Sequence, residues 1–268
     1  MDSELARYAR RSGRWGAQVV YHATLNSTND LLLRLGEQGA AEGLLALTEF
    51  QTGGRGRLQR RWVAPAGASL LMSLLFRPPD PFPWFAARAT MLCGVALVAA
   101  IREVAGVAVA LKWPNDVIIE RADGWGKLAG MLSEVGWQGE TPFLVVGLGV
   151  NVNIPPEQLP QLAPQATSLL AESGQRVDRT ALLDSFLAQV ERDYAALLNG
   201  ADPLPRWAAA LAWLGQPVTL STPTETLTGI AAGVDDTGAL LLRLPDGAMR
   251  AFPVGDVTLR KPAPQMLA

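Results

Sequence analysis

The feature that most constrains the fold is a row of short apolar runs, each of strand length and most ending in glycine or a polar cluster. They are Val19-Val20-Tyr21-His22, Leu44 to Leu47 with Glu49-Phe50, Ser69 to Phe76, Leu111 to Ile119, Lys127 to Glu134 and Phe143 to Gly149. Apolar runs this short, bounded by turn residues, read as strands buried in a sheet. Helical patterns separate them. Ser27 is placed to cap a helix through Leu31, Leu32 and Leu35 that ends near Gly39, and a long apolar helix runs from about Trp84 to Val104 after the prolines between Pro78 and Pro83. Another helix starts after Asp178, with Leu182, Leu183, Phe186, Val190, Tyr194 and Leu197 at helical spacing and Gly200 at its end. The result is an α+β domain whose strands carry polar groups at their ends. Pro114 removes a backbone donor, so Leu111 to Ile119 is expected to be a strand that is interrupted at an edge or bulge and then resumes. Lys127 to Glu134 returns antiparallel across a turn at Asp123-Gly124.

Beyond a proline-rich loop, Ile154 to Pro164, and Thr167-Ser168, the pattern changes. Val218 to Leu220, Thr226 to Val234, Ala239 to Leu244, Met249 to Phe252 and Val257 to Arg260 are short strands, with turns at Asp235 to Gly238 and Pro245-Asp246-Gly247. This tail has the size of an SH3-like all-β barrel. Two domains are expected, residues 1–214 and 215–268.

Composition narrows the function. With 23 Lys+Arg against 25 Asp+Glu the net charge is -2, which gives no electrostatic footprint for nucleic acid. The single cysteine, Cys93, lies in an apolar helical stretch and reads as core, and the single histidine, His22, excludes a multi-histidine metal site. The most apolar run, Ala89 to Ile101, is flanked by Arg88 and Arg102 and falls short of the roughly 20 residues that cross a bilayer. Met1 to Arg14 lacks the apolar core of a signal peptide, so a cytoplasmic setting is expected, with no membrane partner.

The chemistry concentrates after the second strand, in Gln51-Thr52-Gly53-Gly54-Arg55-Gly56-Arg57. Glycines let backbone approach a ligand, and arginines offer planar forks to phosphate or carboxylate. The same seven residues also suit a solvated turn or an RGG-like segment. Lysine occurs only at Lys112, Lys127 and Lys261, and the first two fall in strand-edge segments where a compact charge could meet an anion. Standard nucleotide motifs fail: Gly126-Lys127 is followed by Leu128, and Gly147-Leu148-Gly149 lacks a third glycine.

Five ordered motifs converge: Ser27-Thr28-Asn29, Gly54-Arg55-Gly56-Arg57 with Trp62, Lys112-Trp113-Pro114-Asn115-Asp116, Lys127-Leu128-Ala129-Gly130 and Gly147-Leu148-Gly149-Val150-Asn151. In order and spacing the chain resembles the biotin protein ligases over roughly residues 19 to 262. The resemblance implies a catalytic domain related to class II aminoacyl-tRNA synthetases, with a mixed sheet and helices, followed by an SH3-like domain. It implies that biotin and MgATP give biotinyl-5′-AMP and pyrophosphate, with Mg²⁺ held mainly through phosphates and no protein metal site. Biotin then passes to a lysine of a biotin carboxyl carrier domain of acetyl-CoA carboxylase or a related carboxylase.

Matched motif by motif, the resemblance gives Lys127, Arg57 and Asp116 catalytic roles, with Asp116 orienting the acceptor amine. It puts Ser27, Thr28, Asn29, Gln51, Gly54, Arg55, Lys127, Gly130, Gly147 and Gly149 around biotin. Around ATP it puts Arg55, Arg57, Arg60, Trp62, Lys112, Asn115, Lys127, Asn151 and, from the tail, Arg260. Many members read Gly-Arg-Gly-Arg-Arg-Gly-Arg, whereas here Leu58-Gln59-Arg60 follows Arg57, losing a cation and a glycine. The lead before Ser27 is too short for the winged helix-turn-helix of the repressor members, so a monofunctional ligase without nucleic-acid binding is expected. Rival classes are a lipoate or octanoate transferase, a DNA-binding regulator and a carrier-binding module without catalysis.

Overall fold

A computed structural model describes residues 4–8, 13–79, 82–122 and 124–259. Its main sheet has seven strands: β1 (Val19–Leu25), β2 (Leu45–Gln51), β3 (Ser69–Phe76), β4 (Ala110–Lys112), β5 (Asp116–Arg121), β6 (Gly124–Gln138) and β7 (Thr141–Asn151). Their spatial order is β1-β2-β3-β7-β6-β5-β4. β1 and β2 pair in parallel and every other neighbouring pair is antiparallel. A parallel pair needs a crossover, and α1 (Thr28–Glu37) supplies it. The Ser27 hydroxyl accepts from the Asp30 N–H and starts that helix as the sequence predicts.

Residues along the strands alternate between two apolar layers. Ala46, Leu75, Phe143 and Val145 pack with Leu31 and Leu32 of α1. Leu45, Leu47, Leu74, Phe76, Leu144 and Val146 face the larger core. That core is roofed by α2 (Phe82–Ala105) and α4 (Arg179–Leu198), which pack on each other. The period of two along each strand is what allows one sheet to bury both faces. α2 is longer than the apolar run read from the sequence and, by length and composition, could span a bilayer; most of it is buried inside the fold, as befits a core helix. Leu5 and Trp15 also belong to this core, Trp15 stacking 4.2 Å from the Phe76 ring. Between β7 and α4 lies the short α3 (Leu169–Ser173).

One expectation fails. The segment from Leu111 to Ile119 does not resume in its original direction: β4 and β5 form an antiparallel hairpin in which Lys112 faces Asp116, and Trp113-Pro114-Asn115 is its turn. Proline has no N–H for a continuing ladder, and the Asn115 amide donates to Met131 O, holding the reversal against β6. A bulge does occur, between Val117 and Ile118 of β5. Asp123 of the expected turn lies outside the described residues.

The tail forms a second antiparallel sheet of β8 (Pro217–Ser221), β9 (Thr226–Val234), β10 (Leu240–Arg243), β11 (Met249–Phe252) and β12 (Asp256–Leu259), ordered β11-β10-β9-β8-β12. It docks at the β4 edge. Trp113 Nε1–H donates to Gly238 O at 3.0 Å, and the Arg88 guanidinium donates to Asp236 O at 2.8 Å. The segment after α5 (Leu204–Ala209) adds a parallel bridge, Leu111 to Leu211, so that the edge is covered.

Candidate functional site

A cavity of about 500 Å³ lies where the main sheet meets the tail. It is walled by the N-terminus of α1, the glycine/arginine loop after β2, the β4–β5 hairpin, β6, β7, residues 162–166 and Gly255, Asp256 and Thr258. Strand β7 organises it. Gly147, Gly149 and Asn151 are two residues apart and so line one face of the strand, a span of about 13 Å.

At the Gly147 end the groups form a largely neutral network. Thr28 N–H donates to Gln51 Oε1 at 2.8 Å and the Thr28 hydroxyl donates to the same oxygen at 3.2 Å. Ser73 Oγ lies 2.7 Å from Thr28 Oγ1 and 2.6 Å from Asn29 Oδ1, while Asn29 Nδ2 donates to Glu134 at 2.7 Å. A Cβ on Gly147 would fall 2.1 Å from Asn29 Oδ1, so only glycine fits beneath this asparagine. Ser27, Thr28 and Asn29 are all buried, held by the same turn that starts α1.

The middle of the cavity is charged. The loop folds back on itself: Trp62 N–H donates to Gly54 O at 2.9 Å, and a Cβ on Gly54 would lie 2.4 Å from Trp62 O. Arg55 reaches outward, bonded to Asp30 at 2.5 Å and Glu134 at 2.8 Å, which pins the loop to α1 and β6. Arg57 donates to Asn115 Oδ1 at 3.3 Å. Burial lowers the Arg57 pKa, an effect that the Asp116 and Asp256 carboxylates only partly offset. Leu58 and Gln59 both have positive φ, 54° and 59°, a region that glycine adopts freely and other residues rarely do. Leu58 is left 54% exposed at the cavity rim.

Lys127 Nζ lies 2.7 Å from Asp116 Oδ1 and 5.7 Å from the Trp62 ring centroid. Its backbone is held from the far side. Lys127 N–H donates to Gln165 O at 2.5 Å and Thr167 N–H donates to Lys127 O at 2.9 Å. At the Asn151 end, Trp62 lies against Gly149, whose Cβ would sit 2.4 Å from the indole. Asn151 Nδ2 donates to Thr167 O at 2.9 Å. Trp62 Nε1 and Asn151 Oδ1 are buried with no hydrogen-bond partner. An orphaned donor and an orphaned acceptor on a cavity wall are costly unless something polar fills the space.

The predicted residues therefore converge. Ser27, Thr28, Asn29, Gln51, Arg55, Arg57, Arg60, Trp62, Lys112, Asn115, Asp116, Lys127, Gly130, Gly147, Gly149 and Asn151 all line the cavity. Gly54 does not; it lines an adjoining groove behind the loop and acts through the loop's shape. Arg260 lies outside the described residues. Lys112 is deeper than its motif suggests, only 3% exposed, paired with Asp256 and 5.3 Å over the Trp125 ring. Asp256 and residues 162–166 were not singled out from the sequence. Nothing local marks them, because each meets the site across long stretches of chain.

Residues 21–151 match the model of the Biotin/lipoate A/B protein ligase family, and residues 213–260 match the Biotin protein ligase C terminal domain. A Bacillus subtilis protein named Bifunctional ligase/repressor BirA is 32% identical over 94% of this chain and 77% of its own length. The Biotin--[acetyl-CoA-carboxylase] ligase of Paracoccus denitrificans is 35% identical over 88% of this chain and 98% of its own length. The biotin protein ligase from Aquifex aeolicus in complex with biotin and ATP superposes with a TM-score of 0.74 at 25% identity, covering 91% of this chain and 99% of that one. With both sheets, the ordered motifs and these relatives in agreement, the chain belongs to the biotin protein ligase family.

Proposed function

We propose that this protein is an ATP-dependent biotin ligase, which joins biotin to AMP with release of pyrophosphate and then transfers the biotin to a lysine of a biotin carboxyl carrier domain. The observation that carries the reading is the order of stations along β7: neutral hydrogen-bonding groups at Gly147, the Lys127 ammonium and Trp62 at Gly149, and an orphaned amide oxygen at Asn151. A neutral polar ring suits the first and an adenine the last. The bond-making atoms then meet at the cations between them.

In the first step the biotin carboxylate attacks the α-phosphorus, a C–O–P linkage forms, and the bond to the β-phosphate oxygen breaks. The nucleophile is already ionised near pH 7, so no base is required; two anions must be brought together, which Lys127 and Arg57 do by fixed charge. Ser27, Thr28, Asn29 and Gln51 hold the ureido ring, and Arg55, Gly54 and Gly130 shape the walls around biotin. Trp62 and Asn151 take the adenine, with Arg60, Lys112 and Asn115 nearby. In the second step the carrier amine attacks the acyl carbon and AMP leaves. Asp116, which opens β5 directly after Asn115, orients that amine and takes its proton.

A Mg²⁺ ion entering with ATP would be held mainly through the phosphate oxygens, which suit a hard cation. The second sheet, beginning at Pro217, supports a boundary near residue 214. The net charge of -2 supports a protein without a nucleic-acid partner, and a salt-dependent gel shift would overturn that. The use of ATP and the one free, buried cysteine support a cytoplasmic setting. The test is pyrophosphate release with biotin, with lipoate and with neither. Release that requires biotin is expected; release supported equally by lipoate would move the protein to the other branch of its family.

A further inference from the structure

Asp256 opens β12 of the tail, yet its carboxylate reaches into the catalytic cavity. It forms ion pairs with two cations from different elements: Lys112 of β4, and Arg60 of the glycine/arginine loop at 2.9 Å. Lys112 is almost wholly buried, while the Arg60 side chain is 65% exposed. A buried ammonium needs a carboxylate partner, and an exposed guanidinium at the end of a loop has little else to hold it in one place. Burial alone would raise the Asp256 pKa, but the Lys112 ammonium and the Arg60 guanidinium outweigh it and keep the carboxyl below its ordinary range. The tail touches this junction: a Cβ on Gly255 would lie 3.4 Å from Trp113 of the hairpin turn. Two cations on one anion leave an excess positive charge, with Arg57 alongside, facing the cavity.

We propose that Asp256 is a positioning residue for nucleotide, holding Lys112 and Arg60 on the cavity wall so that the polyphosphate meets fixed cations. Without it the two cations repel each other, and Arg60 is released to solvent with its end of the loop. The hydrogen bonds at the biotin end, among Thr28, Asn29, Gln51 and Ser73, do not involve this carboxylate. The tail thereby contributes to nucleotide binding through an anion.

This rests on the ligase reading, so wild-type, biotin-dependent pyrophosphate release is established first; its absence would count against that reading and not against Asp256. The Michaelis constants for ATP and biotin are then measured for Asp256→Asn, Asp256→Glu, Arg60→Gln and the Asp256→Asn/Arg60→Gln pair, with melting curves alongside. Asp256→Asn is expected to raise the constant for ATP about tenfold or more, as loss of a charge-assisted anchor should, and to leave that for biotin within about twofold. Asp256→Glu should recover most of the loss, and the double variant should be no worse than Asp256→Asn alone. An unchanged ATP constant, or ATP and biotin constants rising together with a fall in melting temperature, would overturn the proposal. If Asp256→Asn does not fold, Arg60→Gln decides: about a threefold or larger rise for ATP supports it, and an unchanged constant overturns it.

Discussion

Lys127 combines a point charge with a backbone bonded to Gln165 and Thr167, and its ammonium is held 2.7 Å from Asp116 Oδ1. Preorganised charge of this kind costs little reorganisation as the reaction proceeds. Lys127→Ala is expected to slow adenylate formation about 10² to 10³-fold, read as pyrophosphate release under saturating substrates. Arg57 has a different part. It sits on a loop that turns back at Gly54, and its contact to Asn115 is long, 3.3 Å, leaving its fork free for an anion. Arg57→Gly removes a charge-assisted contact of roughly 1.5 to 3 kcal/mol and loosens the loop. That variant is expected to make adenylate but let it escape, labelling an unrelated lysine-rich protein that the wild type leaves unlabelled; equal labelling by both would remove the latch role. Cys93, by contrast, has its thiol pushed far up by burial and takes no part in the chemistry.

The elements were legible wherever a local signal set them. Asp178 accepts from Thr180 and Ala181 N–H and caps α4 as the sequence predicts, and Asp178→Ala is expected to cost about 1 kcal/mol. The hydrogen bond from the Thr180 hydroxyl, with those backbone donors, holds the Asp178 carboxyl below its ordinary pKa against the opposing effect of burial. A depressed folded-state pKa stabilises the fold above the unfolded value and ceases to do so as pH falls through the folded one. The melting difference between wild type and variant should therefore be steady from pH 7 to 5 and shrink below about pH 4. Gly149 is a second local feature with a wider effect: Gly149→Ala would push the Trp62 ring aside and should weaken ATP about tenfold and biotin less, a difference that titration of each ligand would read. What the sequence did not disclose are meetings between distant segments. The hairpin reversal at Pro114 depends on Asn115 bonding to Met131. The Lys127 backbone depends on a stretch nearly forty residues later, and the Arg55 anchors depend on Asp30 and Glu134. No periodicity or cap encodes such pairings.

At the scale of the whole molecule, the motifs that identify the family are spread over the main sheet, while the tail closes the cavity from outside through Asp256 and the Trp113 contact. An acyl adenylate reacts with water and with any free amine, so the enclosure made by loop, sheet and tail is part of the chemistry and not only of stability. The glycine/arginine loop with Leu58 and Gln59 at positive φ is one wall of that enclosure, and the carrier lysine must reach past it to the acyl carbon. The decisive measurement is a single-turnover quench with labelled biotin and excess enzyme, following the label in adenylate and in carrier. Without carrier, label should collect as biotinyl-5′-AMP and stay on the enzyme; on adding carrier, it should leave the adenylate and appear on one lysine at the same rate. Label reaching the carrier without passing through the adenylate, or an adenylate that persists when carrier is added, would contradict a two-step transfer in this cavity.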